Sequence, residues 1–123
     1  MKNVSEMLAG LDLDAAGEGS SWRPHPAFAG VHLRDFLPAG RSGGVVSSLM
    51  VRIEPGCGLD EHVHPGSGEV HHVLAGEGFA AIGGERLEYR PGRAAFVPAG
   101  SEHAVRAGER GLLMLAVFCP ALG

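Results

Sequence analysis

Twenty glycines and eight prolines are scattered through the 123 residues and cut the chain into short apolar runs. The runs are Val31 to Phe36, Val45 to Ile53, Leu59 to His64, Glu69 to Ala75, Phe79 to Ile82, Arg86 to Arg90, Ala94 to Val97, His103 to Arg106 and Leu112 to Phe118. Between them stand turn formers: Pro38 to Gly40, Pro55-Gly56, Gly83-Gly84, Pro91-Gly92 and Pro98 to Gly100. Proline fixes φ and removes a backbone donor, and glycine reaches positive φ without steric penalty, so such spacing favours strands joined by tight turns. Gly83-Gly84 is the clearest hairpin signal, because a type I′ turn needs positive φ at both central residues. The expected fold class is all-β, a sandwich or barrel, with a short helix or arm at the N-terminus.

That helix is expected over residues 1–13, where Val4, Met7, Leu8 and Leu11 share one helical face and Asn3 and Glu6 can cap the start. Gly10 limits it to about two turns, and residues 12–21 form a polar linker of small residues. The chain therefore divides into an N-terminal helix, linker and extended arm over 1–29 and a barrel over 30–123. With 10 basic against 14 acidic residues there is no basic stripe for phosphate contacts, which argues against nucleic acid as a partner. No apolar run approaches the ~20 residues of a membrane span, and Glu6, Asp12 and Asp14 stand where a secretory leader would be apolar. A cytoplasmic protein is expected. Cys57 and Cys119 lie outside any C-x-x-C pattern, so neither a disulfide framework nor a thiolate metal site follows, and Cys57 is read as a bystander.

The histidines carry more information. His62 and His64 flank Val63 near a strand end, where residues two apart project from one face. Glu69 opens the next run and His103 follows the Pro98 to Gly100 turn. Three imidazoles and a carboxylate drawn together from neighbouring strands can hold one divalent transition metal and leave positions open for substrate; iron, manganese, nickel, cobalt and zinc all suit such ligands. The motif Gly56-x5-His62-x-His64-x4-Glu69-x6-Gly76, followed by Gly92-x5-Pro98-x-Gly100-x2-His103, resembles that of the cupin superfamily. The second motif departs at Ala107, where the family often has asparagine. The resemblance spans roughly residues 30–118 and implies a double-stranded β-helix (jelly-roll) barrel with a metal held by His62, His64, Glu69 and His103. It does not by itself imply a reaction, since cupins include dioxygenases, isomerases, lyases and non-catalytic sugar-binding domains.

Several other residues have two readings. His71, two after Glu69, shares its inward face and is the expected proton-transfer residue, or else supports the site structurally. His72, on the opposite face, is read as packing. Val73, Phe96 and Val105 are expected to line the interior. Arg52 shares a face with Ser48 and Met50, whereas Leu49, Val51 and Ile53 form the more apolar face, so Arg52 is placed outside the barrel. The segment Trp22 to Phe28 is either an arm across a partner or a clasp on its own sheet; its outline also resembles the zinc-binding cupin domains of anti-sigma factors. Leu112 to Phe118 is apolar on both faces, and any part left open would be covered by a second copy, so a homodimer is expected. The function expected first is a metal-dependent enzyme, dioxygenase-like, acting on a small organic molecule. The alternative is a metal-containing domain that binds or senses a small ligand without turning it over.

Overall fold

The computed structural model describes residues 21–122, and the helix expected over 1–13 lies outside the described residues. The strands are β1 (Arg23–Pro24), β2 (Val31–Leu37), β3 (Ser47–Ile53), β4 (Gly58–His62), β5 (Gly68–Ile82), β6 (Glu85–Tyr89), β7 (Ala94–Val97) and β8 (His103–Cys119), with one 3-10 turn at Ala39–Ser42. All pairings are antiparallel.

β5 and β8 organise the barrel. They pair from Gly68 with Cys119 to Ile82 with His103. The first half of β5 and the second half of β8 lie side by side, with β7 beyond β5 and β3, β2 and β1 beyond β8. The other halves are flanked by β6 and β4. Two sheets thus share two bent strands, as the double-stranded β-helix requires.

The sequence reading expects four separate runs where β5 and β8 each form one strand. The bends are absorbed by register shifts between Val73 and Ala75 and between Gly76 and Gly78, so the ladder continues where the apolar alternation lapses. Gly76 takes φ 81°, and a Cβ there would collide with the carbonyl oxygen of Gly111, so the backbones meet too closely for any side chain. Gly83 and Gly84 take φ 56° and 86°, the two positive values of the hairpin turn between β5 and β6.

Alternation along each strand fills the interior. Val51 and Ile53 of β3 pack with Leu112, Met114, Ala116 and Phe118 of β8, Val73 and Ala80 of β5 and Tyr89 of β6. Burying a leucine- or isoleucine-sized side chain contributes about 1.5–3 kcal/mol. On the outer face Met50, Ala75 and Leu113 form a second small cluster under Trp22. The Arg52 guanidinium lies 5.0 Å from the centre of the Trp22 ring, so Arg52 belongs to this outer face, and the segment beginning at Trp22 clasps its own sheet through β1.

Two expectations are corrected here. Phe96 faces outward at 62% exposure, because β7 pairs Val97 with Glu69 and Phe96 with Val70, which makes Val97 the inward residue. His72 is exposed on the outer face opposite Leu115 rather than packed into an interior.

Candidate metal centre

β4 and β8 place the first two histidines. Leu59 and Val105 pair facing inward, and strict alternation from Leu59 would turn Glu61 in and His62 out. A register shift between Leu59 and His62 reverses this, so His62 pairs with His103 on the inward side. β4 ends at His62, two residues short of the expected end, and His64 stands in the following loop, where its carbonyl accepts a bond from Gly100 N–H at 3.0 Å. The spacing nevertheless gathers the rings. One ligating atom from each of His62, His64 and His103 lies within 4.8 Å of the others.

Backbone carbonyls select the ring nitrogen that each presents. His62 Nδ1 lies 2.7 Å from the Asp60 carbonyl oxygen, and His103 Nδ1 lies 3.0 Å from that of Ser101. A carbonyl oxygen can only accept, so in both rings Nδ1 carries a proton and Nε2 is the nitrogen turned toward the cluster, the one that metal-binding histidines use.

Glu69 completes the cluster. Its side chain is 6% exposed, with Oε1 at 3.2 Å from His103 Nε2 and 3.7 Å from His64 Nε2. Oε2 is 2.8 Å from His71 Nε2, and His71 Nδ1 is 2.7 Å from the Tyr89 hydroxyl. A lone pair on His71 Nε2 would oppose a carboxylate oxygen, so its proton belongs there and the phenol donates to Nδ1. Burial would raise the Glu69 pKa, but His103 and His71 beside it outweigh that and lower it to about 2. Burial lowers the pKa of His62 and His64; in His103 the hydrogen-bonding influence of Glu69 and Ser101 outweighs burial and raises it. Burial, with the Glu69 charge adding to it, raises that of Tyr89 and keeps the phenol protonated.

These residues suit a metal ion. Glu69 Oε1, His71 Nε2 and His103 Nε2 are buried without a hydrogen-bond partner, because the close contacts of both rings with Glu69 lack hydrogen-bond alignment. Orphaned buried polar atoms are costly. An ion among three neutral imidazoles and a carboxylate would satisfy Glu69 Oε1 and His103 Nε2, and the nitrogen and oxygen donor set fits the divalent metals of the middle and late first row.

A cavity of about 80 Å³ opens at the cluster, lined by His62, His64 and Glu69, by apolar side chains, and by His25 from the segment after β1. A larger hollow lies elsewhere: an open groove of about 570 Å³ outside the second sheet, floored by Ala81 and Ala104 beside Phe79, contains none of these histidines. Chemistry rather than size identifies the site. His71 is fully buried behind Glu69 and does not line the cavity.

Two residues escape a reading of the sequence. Tyr89 is the chain's single tyrosine, eighteen residues from His71, and only the pairing of β6 with β5 brings them together. His25 sits in the arm, where Trp22 draws attention to packing. Its Nδ1 accepts from the backbone N–H groups of Ala27 at 3.0 Å and Phe28 at 3.3 Å. Burial and the nearby His62 lower its pKa.

Comparison with known proteins follows this geometry. The family model described as Cupin domain matches residues 49–118. The chain belongs to the cupin family. A Thermus thermophilus structure is 32% identical to this cupin, covers 81% of it and 90% of its own chain, and superposes with a TM-score of 0.64. A predicted oxalate decarboxylase from Thermotoga maritima is 21% identical, with 85% and 96% of the two chains covered and a TM-score of 0.76. KdgF from a Halomonas species is 19% identical, with 84% and 88% covered and a TM-score of 0.72. The last two likenesses show the barrel. No curated protein sequence matches the chain. No helix among the described residues is long and apolar enough to cross a membrane.

Proposed function

We propose that this cupin is a metal-dependent enzyme acting on a small organic molecule, with one divalent transition metal held by His62, His64, Glu69 and His103. The observation that carries the reading is the pair of backbone carbonyls that engage Nδ1 of His62 and His103 and leave Nε2 of each for an ion, beside the orphaned Oε1 of Glu69. When bound, the ion supplies a Lewis acid for a carbonyl or carboxylate oxygen and, if redox-active, a site for dioxygen; dioxygenase-like turnover is the activity we put first. His71 serves through Glu69: its ring lies against Oε2 on the side away from the other histidines and backs the carboxylate electrostatically, while Tyr89 fixes the far side of the ring.

A ligand-binding or sensory role is the second reading. It is favoured by the walls of the cavity, whose described residues beyond the proposed metal-binding group and His25 are apolar and offer no acid or base. We also propose a homodimer in the cytoplasm, formed through the outer sheet face where Phe96 is exposed beside half-buried Val70 and Val117.

Elemental analysis of protein purified without chelators tests the central claim. The expected result is close to one transition-metal ion per chain, lost in His103→Ala while the circular dichroism of the barrel persists. Oxygen uptake by the iron-loaded protein with short organic acids and diketones then separates the two readings. Absence of metal after reconstitution with iron, manganese, nickel, cobalt and zinc would sink both.

A further inference from the structure

The cavity contains two kinds of histidine. His62 uses Nδ1–H to reach a backbone carbonyl and so presents an acceptor at Nε2. His25 is locked the other way: two backbone N–H groups donate to its Nδ1, which must therefore carry the lone pair. The ring proton is on Nε2, and His25 is a donor where its neighbours are ligands. Phe28 packs on the His25 ring with centroids 4.7 Å apart and lies 5.8 Å from the His62 ring, so the turn is seated directly against the site.

The rest of the wall is one-sided. Leu33, Leu49, Val51, Leu59 and Met114 supply it, and among the described residues the lining contains no arginine or lysine. A ligand with a second anionic group would bury that charge against hydrocarbon without a partner among these side chains, which is costlier than burying a neutral polar group. A single oxygen-bearing head and a short apolar tail match the surroundings.

Resting on the metal site proposed above, we infer that His25 is a substrate-positioning residue whose Nε2–H donates to the head group of a short-chain aliphatic monocarboxylate lying between the metal centre and the leucine-rich wall. One carboxylate oxygen is left for the ion and the other accepts from His25. The tail meets Leu33, Leu49 and Val51. No bond is made or broken in this step; it fixes which end of the molecule enters first and excludes dicarboxylates.

The zinc-loaded protein tests this, with butyrate and succinate as probes. Zinc stoichiometry is measured first, and a value near zero removes the metal site and this inference together. With zinc bound, long-range proton–nitrogen correlation should show His25 protonated at Nε2, and butyrate should shift that resonance. His25→Leu should weaken butyrate binding about tenfold, the scale of one hydrogen bond to a charged group. His25→Gln, which keeps an N–H at the Nε2 position, should regain most of it. Succinate should bind at least about tenfold more weakly than butyrate. Zinc at one per chain together with no butyrate binding, a proton on Nδ1, or equal butyrate affinity in wild type and His25→Leu would overturn the role of His25 while leaving the metal site standing. The resonance measurement on the wild type decides the matter even where a variant fails to fold.

Discussion

The two ends of this barrel are made from the same two strands and have opposite contents. Where β5 and β8 bend, Leu112 of β8 points inward with Ile53 of β3 and Val31 of β2 beside it, none more than 1% exposed. Where the same strands begin and finish, the inward positions are Glu69 and His103, with Phe118 edge-on to His64 at 5.2 Å. Alternation dictates orientation equally at both ends. What differs is whether the buried atoms are content without a ligand. Hydrocarbon packed against hydrocarbon is, whereas Glu69 Oε1 and His103 Nε2 are not.

That contrast can be broken at the closed end first. Gly76→Ala should cost about 3 kcal/mol or more, because it adds a Cβ against the Gly111 carbonyl at a positive φ, and a denaturant melt should show destabilisation that zinc does not reverse. At the polar end the expected effects are smaller and depend on conditions. Glu69, held at about 2 against an ordinary 4.5, binds fewer protons folded than unfolded. Its contribution to the metal-free protein is therefore fully present above pH 4.5 and lost as pH falls through about 2. Acid titration of stability should show that loss in wild type and not in Glu69→Gln; a loss of equal size in both would place its origin elsewhere. The smallest change is Tyr89→Phe. It deletes one buried hydroxyl and leaves His71 Nδ1 without its donor, for about 1–2 kcal/mol of stability and about tenfold in zinc affinity. Unchanged zinc affinity would show that Glu69 does not need the chain of contacts behind it.

The same division explains what could be read from the sequence. The turn-forming glycines and the His62, His64, Glu69 and His103 spacings are local signals, and both the barrel and the gathering of the three histidines follow from them. Phe96 misleads because β7 has only four residues, and alternation over so short a run does not fix a face without knowing its partner. His62 faces inward through a register shift that no local pattern announces. Tyr89 and His25 come to the site by long-range pairing and by a turn whose importance is in its backbone N–H groups rather than in its side chains.

The strands that carry the four side chains proposed to hold a metal are also unequal in their anchorage. Glu69 and His103 belong to the ladder that runs the length of the molecule, so their amides can exchange with solvent deuterium only when much of the barrel opens. His62 and His64 hang from β4, which pairs with β8 alone among the described strands, and from the loop after it. An ion joining the two pairs would tie a slowly exchanging wall to a quickly exchanging flap. Its arrival would be recorded most plainly in the β4 amides, whose exchange would slow toward that of β8.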